Sequence, residues 1–391
     1  MDKIEELLTR GVANIIPSKE ELKEKLKSGE KLNIYLGIDP TSTRIHLGHA
    51  VPLRKLQQFA NLGHNVTFLI GDFTALIGDT SDKESERPIL TSEEINENFQ
   101  TYKKQAEKII DFAKVKVKKN SEWLKKLTFE DIVKLTQHFS LGDFISRELI
   151  KKRLTEGKKI GLHEVLYPIM QGYDSYVMDT DIQIGGTDQT FNMQAGRTLQ
   201  KNLRDKQSFV LTTPLLEGTD GRKMSKSLGN AIWLEDSPED IFAGIMAIND
   251  NLIIQYFTLA TNVSIEKIQQ IEKVVKENPM TAKKNLALEI TKEMHGEKNA
   301  AKAQEYFEKT VQDKEVPTDM PVYRYIGNNN IIEILVQTKL ADSKSEAKRL
   351  IEQGGVTFDN KVIRDANTTL DLTGEHLLKV GKRKFLKIKT K

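Results

Sequence analysis

Between Lys31 and Gly71 the chain reads as strand, helix, strand, and this order constrains the fold more than any other feature. KLNIYLGI (31–38) has the apolar, β-branched character of a buried strand. A polar loop, Asp39–Arg44, leads into a helix from about His46 to Leu62, whose Leu47, Val51, Leu56, Phe59 and Ala60 recur at helical spacing. Gly63 is placed to cap that helix, and NVTFLIG (65–71) reads as the next strand. Two strands joined through a helix pair in parallel with a right-handed crossover.

Strand signals return at 180–185 (TDIQIG) and 207–212 (QSFVLT). Between the two pairs, Thr91 and Glu94 form a capping box at the start of a helix to about Phe112, and helical patterns follow at 129–155 and 162–177. The expected fold is therefore α/β: a doubly wound, Rossmann-like parallel-sheet catalytic domain over 1–233 with a helical insertion at about 91–175. At Ser237-Pro238-Glu239-Asp240 an N-cap, a first-turn proline and acidic residues open an all-helical domain expected over 234–312. Residues 313–329 read as a linker, and 330–391 as a separate small C-terminal α/β unit. In that last unit a helix at Ser343–Gln353 precedes strands at 356–358, 361–363 and a lysine-rich hairpin over 377–388.

Composition excludes several classes. No stretch of the 391 residues approaches the ~20 apolar residues that cross a bilayer. The acidic, amphipathic start MDKIEELLTRG reads as neither signal nor transit peptide, so a cytoplasmic location is expected. With no cysteine and seven histidines, neither disulfides nor a zinc site are expected. Residues 329–391 carry 13 Lys/Arg against 8 Asp/Glu, so +5 of the net +3 sits there and about −2 in the rest. That basic excess suits a polyanionic partner, or simply a solvated lysine-rich surface.

In a doubly wound sheet, ligands bind beyond the C-terminal strand ends. Asp39, Thr41, His46 and His49 follow the first strand, Asp72 and Asp79 the second, and Gly185, Gly186, Asp188 and Gln189 the third. His46-Leu47-Gly48-His49 puts two imidazoles on one face of a helix N-terminus, around a glycine that admits close approach of a nucleotide. Lys223-Met224-Ser225-Lys226-Ser227 lies in a loop flanked by Asp220-Gly221 and Gly229-Asn230, where two lysines could close over a triphosphate. Tyr167, Gln171 and Asp174 share one helix face at i, i+4, i+7.

These two strings resemble the signature sequences of class I aminoacyl-tRNA synthetases, with Leu47 in place of the usual isoleucine. Tyr35–Thr41, Leu76–Asp79, Tyr167–Asp174 and Gln183–Gln189 narrow the resemblance to the bacterial-type tyrosyl branch, over essentially the full length. The resemblance implies a tyrosine–tRNA ligase that takes ATP with magnesium, tyrosine and tRNA(Tyr), works as a homodimer, and has no DNA or membrane partner. It implies Tyr35 and Asp174 on the substrate phenol, and Asp79, Tyr167 and Gln171 on its ammonium. Gly37, Asp39, Gly48, Gly186, Asp188, Gln189, Met224, Ser225 and Ser227 match ATP-binding positions. Thr41, His46, His49, Lys83, Arg87, Lys223 and Lys226 match the catalytic set. The C-terminal unit 330–391, with Lys344, Lys348 and Arg349 on a helix before Gly354-Gly355-Val356, resembles the small RNA-binding domain of a ribosomal small-subunit protein, which implies that these three basic residues bind RNA. Leu36 and Pro52 depart from the small polar residues that contact ribose in some relatives. The rivals are a tryptophanyl-tRNA synthetase, a small adenylyltransferase, and a synthetase-derived, non-catalytic RNA-binding or splicing factor.

Overall fold

The computed structural model describes residues 2–78, 90–312, 322–325, 329–381 and 384–390. Asp79, Lys83 and Arg87 lie outside the described residues, as do 313–321 and 326–328 of the expected linker. The chain divides into two compact units, Met1–Met294 and His295–Lys391.

The first unit is built on a six-stranded sheet: β1 (Asn14–Ile16), β2 (Asn33–Ile38), β3 (Asn65–Ile70), β4 (Val115–Lys119), β5 (Ile182–Gly186) and β6 (Phe209–Thr213), in the order β1-β6-β5-β2-β3-β4. β2 through β6 run parallel, and β1 pairs antiparallel with β6. The central strands are near-continuous apolar runs because helices cover both faces; all five residues of β6 are buried. The helix Leu47–Asn61 crosses from β2 to β3, and its Leu47, Val51, Leu56, Phe59 and Ala60 are all buried as their spacing predicts.

The block at 91–175 is not wholly helical. The Thr91–Glu94 box forms as expected, Thr91 Oγ accepting from Glu94 N–H at 3.2 Å and the Glu94 carboxylate accepting from Thr91 N–H at 2.8 Å. The helix it opens ends at Ala106 rather than near Phe112, because the chain turns there into β4. β4 (VKVKK) adds to the sheet edge beside β3; its valines alternate with lysines at the two-residue strand period, and lysines on an edge strand discourage further pairing. Helical pattern at 129–155 becomes three helices, Phe129–Thr136, Leu141–Ile145 and Glu148–Thr155, broken where Ser140 and Arg147 take non-helical backbone angles. Helix Leu162–Val177 then packs on helix Thr190–Arg204. Ser237 Oγ accepts from Asp240 N–H at 3.1 Å and caps helix Pro238–Met246, after which no described segment up to residue 312 is a strand.

The second unit starts with helix Glu297–Phe307 and contains a five-stranded sheet ordered β7-β11-β10-β8-β9: β7 (Val322–Tyr325), β8 (Val356–Phe358), β9 (Lys361–Ile363), β10 (Glu375–Val380) and β11 (Lys384–Thr390). β7 falls inside the expected linker; it pairs in parallel with β11, where Tyr325 is buried, so those four residues are strand and not spacer. Helices Ile331–Gln337 and Lys344–Glu352 bury Ile334, Leu335 and Ile351 against Leu378 and Ile388 of the sheet. Asp359 and Asn360, at φ of 46° and 63°, make the two-residue turn between β8 and β9 that matches strand twist.

Candidate active site

Strand order reverses at β2: β3 and β4 lie on one side of it, β5 and β6 on the other. A cavity of about 370 Å³ opens there, beyond the C-terminal ends of β2 and β5. Of the described residues expected to hold tyrosine or ATP or to act in catalysis, all but Ser227 line it. Ser227 Oγ instead shares a 2.9 Å hydrogen bond with Ser225 Oγ, outside the lining. Leu36 and Pro52 line the same cavity.

One half is deep and built for a polar group inside an apolar shell. Asp174, on helix Leu162–Val177, is 3 % exposed; its carboxylate accepts from Trp123 Nε1 at 2.7 Å and Asn120 Nδ2 at 3.1 Å. Burial drives its pKa up to about 8, against the pull of those two hydrogen bonds, and the nearby Asp39 and Asp72 carboxylates push the same way. Tyr35, from β2, is equally buried, and its hydroxyl donates to Gln183 Oε1 of β5 at 3.1 Å. Burial and the Asp174 charge push its phenol well up, so it stays a neutral donor or acceptor.

The raised pKa makes the Asp174 contribution to stability depend on pH. A carboxyl whose folded pKa lies above its unfolded value stabilises at low pH, and that contribution is lost as pH rises from about 4 to about 8. We expect the unfolding temperature of Asp174→Asn, relative to the parent, to rise by at least about 2–4 °C between pH 5 and pH 8 by calorimetry, whatever the offset at pH 5. A gap that is flat across that range would show that the Asp174 carboxyl keeps an ordinary pKa.

The two halves meet at Asp39. Its Oδ2 accepts from Tyr167 OH at 2.9 Å and its Oδ1 from Thr74 Oγ at 2.7 Å. This packing requires Gly71, where a Cβ would stand 2.0 Å from Asp39 Oδ1.

The other half is the cradle at the start of helix Leu47–Asn61. His46 is its N-cap residue, and its ring stacks on His49 with centroids 3.7 Å apart. His49 Nδ1 accepts from His46 N–H at 3.3 Å, which orients the second ring. Burial, with smaller contributions from His49 and Lys223, lowers the His46 pKa to about 2, so the imidazole is neutral at pH 7. Gly48 fits beneath it: a Cβ there would lie 3.0 Å from His46 Nδ1 and 3.7 Å from Met224 Cβ. The glycine thus brings the lysine-bearing loop against the histidines. In that loop Lys223 Nζ reaches Asp188 Oδ2 at 3.1 Å, and Lys226 is exposed at the cavity. Buried Asn230 accepts from Ser225 N–H at 2.9 Å and donates to Asp220 Oδ1 at 2.7 Å and Lys223 O at 3.1 Å, which shapes the turn.

Several residues here escaped sequence reasoning. Asn120 and Trp123 follow β4, and that strand was not expected. Thr74 sits two residues past Asp72, in a strand-to-helix loop of the kind already singled out. Gln183 carried the clearest signal, a polar side chain inside a buried parallel strand.

A family model described as tRNA synthetases class I (W and Y) matches residues 27–312, and a second, the S4 domain, matches 331–376. The first does not separate the two amino acids. The tyrosine–tRNA ligase of Thermotoga maritima is 46% identical over 386 residues, spanning 98% of this chain and 96% of the relative; that of Carboxydothermus hydrogenoformans is 45% identical over 397, spanning 98% and 97%. The chain belongs to the bacterial tyrosyl-tRNA synthetase family. Solved tyrosyl-tRNA synthetases share its fold at lower identity. The Archaeoglobus fulgidus structure with L-tyrosine superimposes with a TM-score of 0.60 at 23% identity, over 78% of this chain and 99% of that one. A C-terminally truncated mitochondrial synthetase from Aspergillus nidulans gives 0.65 at 23%, over 78% and 92%.

In the S4 unit of this synthetase, Lys344, Lys348 and Arg349 are exposed on helix Lys344–Glu352. Each faces an acid: Glu333 at 2.6 Å from Lys344, Glu352 at 3.9 Å from Lys348, and Glu346 at 3.8 Å from Arg349. Exposed pairs of this kind are weak, and a phosphate backbone can displace them.

Proposed function

We propose that the enzyme joins tyrosine to tRNA(Tyr) in two steps at the β2/β5 cavity. The observation that carries this reading is the meeting, in one cavity, of a buried Asp174–Tyr35 pocket suited to a phenol and a histidine–lysine cradle suited to a triphosphate. The tyrosine carboxylate attacks the α-phosphorus of ATP in line, and the bond to the bridging oxygen breaks as pyrophosphate leaves. The tyrosyl group then passes to a hydroxyl of the terminal adenosine of tRNA, and AMP leaves. A free α-carboxyl has a pKa of about 3.5, so the nucleophile needs no base at neutral pH.

Tyr35 and Asp174 take the substrate hydroxyl. Tyr167 and Gln171, with Asp79, take the ammonium. Gly37, Asp39, Gly186, Asp188 and Gln189 hold the nucleotide beside Gly48 and the Met224–Ser227 segment. Thr41, His46, His49, Lys83, Arg87, Lys223 and Lys226 stabilise charge as the phosphates separate. Magnesium brought by ATP would neutralise phosphate charge, and would take its ligands mainly from the phosphates, since Asp39 is engaged by Tyr167 and Thr74 and Asp188 pairs with Lys223.

The S4 unit, through Lys344, Lys348 and Arg349, adds backbone and shape contacts to tRNA. A homodimer forms through the helices of 129–162, where Phe129 is 81 % and Leu162 75 % exposed, alongside Val133, Leu141, Ile145 and Leu154. The enzyme works in the cytoplasm; no described helix is long and apolar enough to cross a membrane.

The test is amino-acid-dependent ATP–pyrophosphate exchange across the amino acids. Signal with tyrosine alone is expected; signal with tryptophan, or none at all, would overturn the reading. Removal of 330–391 should leave exchange within about twofold and lower tRNA charging with a shallower salt dependence. Loss of exchange on that truncation would place the tail in the catalytic core.

A further inference from the structure

The loop that carries Lys223 and Lys226 is tied down at both ends. At its entry Met224 N–H donates to Leu216 O at 3.0 Å and Gly218 N–H to Arg222 O at 2.7 Å. At its exit Leu47 N–H donates to Ile232 O at 2.9 Å and Leu234 N–H to Ile45 O at 2.9 Å, so His46 and Trp233 face each other as an antiparallel bridge pair. Lys108 Nζ adds a 2.5 Å hydrogen bond to Leu234 O. The exit of the loop and the first histidine are therefore one piece of backbone structure.

Three side chains complete that piece, and none has a role in the proposed reaction. The Trp233 indole meets the His46 ring edge-on at 5.6 Å. The Arg44 guanidinium lies over the same indole, 4.6 Å from its centroid. Asp236 closes the group: its carboxylate accepts from Trp233 N–H at 3.1 Å and pairs with the Arg44 guanidinium. Arg44 and Trp233 both line the cavity, so the group is part of its wall. The ring contacts both the Arg44 guanidinium and the His46 imidazole, while the bond from Trp233 N–H to Asp236 fixes the main chain that carries it.

We propose that Arg44, Trp233 and Asp236 form a positioning clamp that holds the His46 ring in register with the exit of the lysine loop. The proposal rests on the reading above that the histidines and lysines act on ATP. When the loop closes, it swings about anchors that include this clamp, and the lysines arrive at an imidazole whose orientation is already set. The clamp touches the histidine and the exit of the lysine loop, on the nucleotide side of the cavity. Its loss should therefore slow the chemical step and leave amino-acid binding intact, because small misplacements of an acting group are expensive in rate.

The test is single-turnover tyrosyl-adenylate formation at saturating ATP and tyrosine, with tyrosine Kd measured by equilibrium dialysis. Trp233→Leu should slow adenylate formation by about 10- to 100-fold with tyrosine Kd within about twofold, whereas Trp233→Phe, which keeps a ring between Arg44 and His46, should stay within about threefold. Arg44→Gln and Asp236→Asn should each slow the step about three- to tenfold, and the double variant should be no slower than the slower single one. The clamp is overturned if Trp233→Leu runs at the parent rate, if Leu and Phe variants lose rate and tyrosine affinity alike, or if the Arg44 and Asp236 effects multiply. Should Trp233→Leu not fold, the Arg44–Asp236 cycle decides. Lys223→Ala in the same assay separates the two claims. A slow Lys223→Ala beside a parent-like Trp233→Leu removes only the clamp, and a parent-like Lys223→Ala removes the ATP reading itself.

Discussion

Replacing Lys223 or Lys226 by alanine is expected to slow tyrosyl-adenylate formation by about 10²- to 10³-fold each, the scale of losing one preorganised donor to a developing charge. Tyrosine Kd should stay within about twofold. Both lysines belong to the nucleotide half of the cavity: Lys223 reaches Asp188 at the end of β5, and Lys226 stands exposed at the cavity. The residues around the phenol pocket, Asp174, Asn120, Trp123, Tyr35 and Gln183, bond to one another and not to the loop. A loss that appears in the rate constant with binding unchanged identifies interactions made only as the reaction proceeds. Single-turnover kinetics beside equilibrium dialysis reads both numbers. If tyrosine affinity falls in step with rate, the lysines are part of a binding wall and not of a closing lid.

The second large effect concerns selectivity. Asp174→Asn should lower kcat/KM for tyrosine and reduce the preference for tyrosine over phenylalanine by about 10- to 100-fold, since leaving a buried hydrogen-bonding group without its partner costs roughly 1–3 kcal/mol. Asp174 already accepts from Trp123 and Asn120, which hold its oxygens in place before any ligand arrives. An asparagine would turn one acceptor into a donor facing donors, and phenylalanine, which asks for no hydrogen bond, would lose less than tyrosine. Steady-state kinetics with both amino acids measures the ratio. A ratio equal to the parent's would remove Asp174 from substrate recognition.

Much of this was legible in the sequence because local signals and tertiary demands agree there. The βαβ unit at 31–71, the Thr91 and Ser237 caps and the strands at 356–358 and 361–363 stand where composition and period put them. Illegible features had short or mixed patterns. β4 has five residues, three of them lysine, and its strand character comes from pairing with β3. β7 has four, between prolines and glycine, and is a strand because β11 is beside it. β1, with three residues, is an antiparallel addition to β6 that no local pattern marks. The candidate site divides in the same way. Residues on signature strings could be nominated one by one, but Asn120, Trp123, Thr74 and Gln183 matter through what they touch. Tyr35 shows the limit of residue-by-residue assignment: its hydroxyl bonds Gln183, a partner on a neighbouring strand that spacing along the chain does not reveal.

The chain has two tryptophans, and the fold places one in each half of the cavity region. Trp123 donates its indole N–H to the carboxylate of the amino-acid pocket, and Trp233 stands edge-on to the first histidine at the root of the lysine loop. Indole emission responds to charge and water near the ring, so the protein carries two built-in optical reporters. Trp123 is set to register the filling of the phenol pocket, and Trp233 the movement of the loop over the nucleotide. Single tryptophan-to-phenylalanine replacements would assign each signal, and the order of the two changes in a stopped-flow trace would give the sequence of events without any label.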